Sequence, residues 1–272
     1  MFAINAAKFL LKSNICSQLD WSQSQKFTFG CHELHYQACR LHTHRSETEA
    51  GYGIDQNAET AHLKALMETI ERYSTKKVSF QGAAAHFSAH LAEKNAYLEM
   101  IERDAWLRFL VEDREPQSIK DYMQFRCMRL PAMDSNVFVF AAFMRGFSCI
   151  PFGLAASYSQ DHAEKKAFLE LALSWVRHQA KDCAQQDSLY GKIHLRTKNP
   201  TFHKKIFFEK NKPSKSKTYS SERTKVTKPI MFMRHTHDRI YHWPISVITA
   251  HSNACLSWDL KLMEQQDCVA VG

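Results

Sequence analysis

Five glutamates stand out because of how they are spaced. Gly51, Ala61, Ala65 and Glu68 recur at the same intervals as Gly82, Ala92, Ala96 and Glu99, and again as Gly153, Ala163, Ala167 and Glu170. The pattern Gly-x9-Ala-x3-Ala-x2-Glu is thus written three times, and two copies continue identically, as Glu68-Thr-Ile-Glu71-Arg72 and Glu99-Met-Ile-Glu102-Arg103. Two chemistries are open to such carboxylates. Arg72 and Arg103 can pair locally with Glu68 and Glu99 at i+4, the ordinary surface salt bridge. Alternatively, carboxylates from separate helices converge on Mg²⁺, a hard cation that prefers oxygen ligands and commonly carries nucleotide phosphates. Repetition on an alanine-flanked stripe favours convergence, because an ionised carboxylate aimed at the packed side costs several kcal/mol, so that a cation must meet it or its pKa must rise.

Each copy reads as a glycine-bearing, small-residue segment that leads into a helix. The alanine pair at i and i+4 lies on one helix face, where small side chains let the helix approach a sheet closely, and the glutamate returns to that stripe at i+7. Strand-like runs lie between the helices: Phe27 to Phe29, Val137 to Met144, Ser148 to Phe152 and Ile245 to Thr249. Val137 to Phe152 predicts a hairpin turning at Arg145-Gly146 and delivering into the third unit. The expected class is α+β, with the glutamate helices packed on a mixed or antiparallel sheet around a central site.

Composition bounds what else the chain could be. Of 272 residues, 44% are hydrophobic and 24% charged, the balance of a globular protein able to bury a core without disulfides. The formal charge of +8 suggests nucleic acid until it is located. Residues 192–228 hold 12 Lys and Arg against two Glu, so the remainder is close to neutral. That stretch reads as a solvated insert, and nucleic acid is not the expected partner. The eight cysteines are scattered and no apolar run is long enough to span a bilayer, so a reducing cytoplasm is expected. The crowded Cys31, His32, His35, Cys39, His42 and His44 match no standard zinc spacing and read as a polar strand or loop; His235, His237 and His242 are read in the same way. No P-loop, dinucleotide fingerprint or Ser/His/Asp arrangement is present, and no residue is singled out as acid, base or nucleophile.

In ALMETIERYST (65–75), NAYLEMIERDAW (95–106) and FGLAASYSQDHAEKKAFLELA (152–172) the chain resembles the YcaO family, ATP-dependent enzymes that activate a peptide backbone amide. The resemblance covers residues 46–175 best, and FMRHTHDRIYHWPISVIT (232–249) looks like the family's late strand pair. It implies an N-terminal segment, 1–45, before a YcaO-like domain, 46–272, that carries the basic insert.

The resemblance also implies cofactors and site residues. ATP and Mg²⁺ would be held by Glu68 and Glu71 with Arg72 in support, by Glu99 and Glu102 with Asn95 four residues earlier, and by Glu170. Arg108 is implied as a phosphate contact. Lys64 stands where the family usually has Ser, and could reach a phosphate as a point charge; Leu173 stands where it usually has Gln. The link between the first two motifs is short, and the chain ends QQDCVAVG without the proline-rich terminus of azoline-forming members.

The implied reaction is an ATP-dependent modification of a backbone amide, yielding an azoline, a thioamide or a related product on a ribosomally made precursor peptide or protein. A partner protein for peptide capture or sulfur delivery is implied with it. The alternative is a degenerate member serving as an accessory or scaffold subunit.

Overall fold

The computed structural model describes residues 16–43, 48–76, 81–111, 114–122, 124–144, 152–179, 230–235, 245–252 and 255. The basic stretch 192–228, His44, His237, His242, the Arg145-Gly146 turn and the C-terminal QQDCVAVG lie outside these residues. No described helix is long and apolar enough to cross a membrane.

The described strands form three antiparallel sheets. In the first, β1 (Cys16–Trp21) and β2 (Gln25–Phe29) lie along one edge of the long β3 (His32–Thr43), and β4 (Thr48–Asp55) takes the other. The second joins β5 (Gly82–His86), β11 (Ser246–His251) and β10 (Met231–His235). The third is a meander of β6 (Ser118–Asp121), β7 (Phe125–Leu130), β8 (Phe138–Met144) and β9 (Phe152–Ser157). β8 and β9 pair as the expected hairpin requires, with Phe143 opposite Phe152, but the second strand runs over Phe152–Ser157 and carries Gly153 itself, where the sequence placed it at 148–152; the late strand pair is present, with Met233 opposite Thr249. The polar run from His32 to His42 is a strand, burying Leu34, Tyr36, Cys39 and Leu41.

Three helices connect these strands: α1 (Ala58–Thr75), α2 (Ala89–Val111) and α3 (Gln160–Gln179). Each follows a strand that carries the repeated glycine, and the three joints are built alike. The side chains of Asp55, His86 and Ser157 accept from the backbone N–H of Asn57, Ser88 and Ser159, respectively, two residues on. Asn57, Ser88 and Ser159 in turn accept from the N–H three residues further, satisfying a donor that the first helical turn would otherwise leave open.

The glycines explain the alanines. A Cβ on Gly82 would stand 2.1 Å from the Ala96 carbonyl oxygen, one on Gly153 2.1 Å from that of Ala167, and one on Gly51 2.5 Å from that of Ala65. Ala61, Ala65, Ala92, Ala96, Ala163 and Ala167 are fully buried beneath their strands. Strand and helix backbones are therefore in contact, which only glycine facing alanine permits.

Packing between units closes a ring. Beyond its own strand β4, α1 packs on β5; beyond β5 and β11, α2 packs on β9; beyond β9 and β8, α3 packs on β4. The cores follow this arrangement. One centres on α2 with Trp106, Met128 and Val139, a second on α3 with Leu34, Phe140 and Leu171, and a third on α1 with Leu66, Ile70 and Val247.

Gly153→Ala should force the helix from its strand and cost about 3 kcal/mol or more. Gly30, in the β2–β3 turn with φ 61°, meets only the tip of Phe168 at 3.8 Å, so Gly30→Ala should cost only about 1 kcal/mol through its backbone conformation. Urea denaturation of the two variants checks the contrast.

Candidate functional site

The ring brings the repeated glutamates together. Glu68 and Glu71 come from α1, Glu99 and Glu102 from α2 and Glu170 from α3, and they act on one another electrostatically across the helices: Glu71 with Glu99, Glu102 with Glu170, Glu170 with Glu68. All five retain partial contact with solvent although protein surrounds them.

They divide into two kinds. Glu68 takes the backbone N–H of Tyr52 on one oxygen at 2.7 Å and the Arg72 guanidinium on the other at 2.5 Å. Glu99 repeats this with the N–H of Ala83, also at 2.7 Å, and Arg103. The local salt bridge and the inward-facing carboxylate are thus the same residue. Each such glutamate ties its helix to the glycine-bearing strand, accepting from the residue after the glycine, an edge-strand N–H that the sheet leaves unpaired. Glu102 makes one such bond across units, accepting from Ala156 of β9 at 3.0 Å. The Glu71 and Glu170 carboxylates accept no hydrogen bond among the described residues.

That division sets the electrostatics. Burial, reinforced by Glu99 and Glu68, holds the Glu71 carboxyl well above the usual carboxylate range. Burial also pushes Glu102 up to about 8, with Glu99 and Glu170 adding to it and Lys166 opposing. Glu170 is raised by burial against the pull of Lys166. Lys166 was not singled out by the sequence reading, yet it is coupled electrostatically to Glu102, Glu170, Glu99 and Glu71; burial alone would lower its pKa, and those four carboxylates raise it. The repeat holds the signal that could have found it, since Lys64, Asn95 and Lys166 all stand four residues before their glutamate.

The other expected site residues are placed unequally. Lys64 reaches Asp55 at 2.8 Å and the Ile54 carbonyl at 3.1 Å while acting on Glu170 from the rim. Asn95 is exposed on α2, one turn before Glu99. Arg108 lies half a helical rotation from Glu99, holding the fully buried Asp104 at 2.9 and 3.0 Å and acting on the Cys255 thiol, so the fold directs it away from the glutamates. Leu173, three residues after Glu170, is buried and brings no polar atom to the cluster.

The donor set fits a hard divalent cation with an anionic ligand. Among the described residues no three acidic, His or Cys side chains already stand close enough to cage an ion. Mg²⁺ does not need such a cage, since it usually takes one or two carboxylates and completes its shell with water and phosphate oxygens. Glu71, Glu102 and Glu170 are the carboxylates with coordinating capacity to spare, and a cation between them would relieve the mutual repulsion.

The raised carboxyl groups carry a pH signature. A glutamate that titrates higher in the fold than in the unfolded chain holds a proton that the unfolded chain has lost, so stability falls as the pH climbs from the ordinary glutamate range and levels off above about 8. Melting temperatures between pH 5 and 9 should show this decline, and Glu102→Gln should flatten it and melt higher at the alkaline end.

No family model and no curated protein matches the sequence. Solved structures do. A YcaO protein from Methanopyrus kandleri bound with AMPPCP and Mg²⁺ is similar at a TM-score of 0.64 and 11% identity, over 92% of this chain and 90% of that one. A heterocyclase in complex with substrate and cofactor is similar at a TM-score of 0.56 and 10% identity over 87% of this chain, which spans 50% of that protein's length. At these identities the likeness is one of backbone path, and the fold of the chain is YcaO-like.

Proposed function

We propose that the chain binds ATP with Mg²⁺ between its three glutamate-bearing helices and uses it to activate a peptide backbone amide. The observation that carries this reading is the meeting of Glu71, Glu102 and Glu170 from three sequence-distant helices in one under-neutralised cluster. Carboxyl groups crowded at the centre of a fold either keep their protons or take a cation; a multivalent cation would let them ionise together, and a triphosphate is a common companion of Mg²⁺. The likeness of the fold to a YcaO protein bound with AMPPCP and Mg²⁺ supports the same choice.

Glu71, Glu102 and Glu170 would hold the metal, Glu68 and Glu99 would keep α1 and α2 in register with β4 and β5, and Arg72 and Arg103 would keep those clamps charged. Lys64 and Asn95 would line the rim. When bound, Mg²⁺ and the triphosphate supply a phosphoryl group for an amide oxygen, which is otherwise a poor leaving group. The protein's part is to place that oxygen against the phosphate and to hold the surrounding charge fixed. A precursor peptide or protein is the substrate class consistent with this chemistry. An azoline follows if a Cys, Ser or Thr side chain supplies the nucleophile, and a thioamide if sulfide does.

One feature favours a second reading. The third unit has Leu173 and Ser174 where the others have Glu71-Arg72 and Glu102-Arg103. A subunit that binds nucleotide and scaffolds a partner for peptide capture would tolerate that loss.

ATP with Mg²⁺ at 100 times its Kd should stabilise the protein by about 2.7 kcal/mol, visible as a rise in melting temperature. Glu71→Gln and Glu102→Gln should each remove that rise while leaving a folded protein. Phosphate release stimulated by a peptide substrate then marks the enzyme; nucleotide binding without release, alongside a copurifying synthetase, marks the scaffold. A wild-type protein whose melting temperature ignores ATP and Mg²⁺ refutes both.

A further inference from the structure

The second sheet ends on a strand that the helices leave uncovered. Val247 and Ala85 pack with Leu66 and Ile70 of α1 on one face, and Ile248, Ala250 and Ala84 pack with Ala92 and Ala96 of α2 on the other. Register continues those faces onto β10, setting Met233 beside Thr249 on the α1 side and Phe232 beside Ala250 on the α2 side. There the cover stops: Met231 is 56% exposed, Phe232 37% and Met233 53%. Among the described residues β10 pairs with β11 alone, so its outer edge is open.

Alternation identifies the groups on that edge. The Ala83 N–H turns away from β11 to meet Glu99, so Thr249, opposite Ala83, directs its backbone groups to β10 instead. Met233, opposite Thr249, returns them, and Phe232 and Arg234 therefore present N–H and C=O outward. An extended chain laid along these groups would add a fourth strand, a common mode of peptide capture at a sheet edge.

Size and charge decide which chain fits. A second copy would offer the five residues of its own β10, where a stable protein interface takes about 20 to 30 residues a side. Five residues suit a short peptide. β5, β10 and β11 contain no Asp or Glu, and Arg234 is exposed on the free edge. The stretch 192–228, with 12 Lys and Arg against two Glu, ends two residues short of β10. Acidic residues in an added strand thus meet no carboxylate on this sheet, while alternate apolar residues would cover Phe232 or the methionines.

We propose that the outer edge of β10 takes an extended segment of the peptide substrate, acidic and apolar residues alternating, as a fourth strand. The inference rests on the peptide-modifying reading above and adds to it a recognition segment apart from the reacting amide. Three strand spacings, about 14 Å, separate such a segment from β5, whose Ala83 N–H holds Glu99, so about four or more residues must intervene before the amide.

Fluorescence anisotropy of the full chain with labelled decapeptides, alternating valine with glutamate or valine with lysine, tests this. Expected is binding of the glutamate peptide and not of the lysine peptide. Phe232→Pro, which removes an outward N–H and no ladder bond, and Arg234→Glu, which inverts an exposed charge, should each weaken binding about tenfold or more. In both, ATP with Mg²⁺ should still raise the melting temperature; should Phe232→Pro fail to fold, Arg234→Glu decides alone. Equal binding of the two peptides, no wild-type binding of the glutamate peptide, or binding that the folded variants leave unchanged would overturn the strand site. So would a dimer in sedimentation velocity that Phe232→Pro dissolves, since the edge then belongs to a second copy. All of these leave the proposed function to stand on its ATP response. Selective peptide binding by a wild type whose melting temperature ignores ATP and Mg²⁺ supports the strand site and refutes the nucleotide reading.

Discussion

Contact between strand backbone and helix backbone is the constraint on which the rest of this molecule depends. Because a Cβ on any of the strand glycines Gly51, Gly53, Gly82 and Gly153 would stand only 1.8 to 2.5 Å from a helix carbonyl oxygen, each helix is pinned in depth, rotation and register on its strand. In two of the three units the glutamate three residues beyond the second alanine is thereby aimed at its strand. Glu68 and Glu99 meet the open N–H groups of Tyr52 and Ala83, and the next turn of each helix carries Glu71 and Glu102 inward. Packing that looks purely structural therefore aims the charged groups.

Three such units closed into a ring place like charges opposite one another, an arrangement a monomeric core would ordinarily avoid. The fold moderates it unevenly. Two arginines and two strand N–H groups satisfy Glu68 and Glu99, while Glu71, Glu102 and Glu170 are left partly uncompensated and titrate high. Stored repulsion of this kind would be released by a multivalent cation, so the feature that weakens the unliganded protein would favour the binding proposed above. The departures of the third unit are not random losses within that scheme. Where Leu173 and Ser174 replace a carboxylate and an arginine, Lys166 brings a cation from the opposite side of Glu170.

The salt-bridge and converging readings of the glutamate motif exclude one another only if each carboxylate has a single task. In the structure the two oxygens of Glu68 and Glu99 are divided between strand and guanidinium, and convergence passes to the second glutamate of each pair. Arg108 shows the reverse case: its sequence position beside a motif suggested a ligand contact, but half a helical rotation separates it from Glu99, and the buried Asp104 holds it elsewhere.

What the sequence determined by itself is the β–α unit. Gly to Ala to Glu is a contact between residues fewer than twenty apart within one strand and one helix, so its geometry is written in spacing alone, and the three copies make it legible. β8 and β11 were legible too, because continuous apolar runs mark buried strands, whereas the run at 148–152 placed β9 several residues too early. β3 was harder to read: its polar and histidine-rich positions interrupt the alternation, and only its neighbours β1, β2 and β4 reveal which residues face inward. Tertiary structure alone decided that α1 reaches β5, α2 reaches β9 and α3 reaches β4, and hence which carboxylates are clamped, which face the centre and that Lys166 stands among them. Except for α1 on β5, those relations join segments tens of residues apart, and in none of them can periodicity within a helix say which faces will meet.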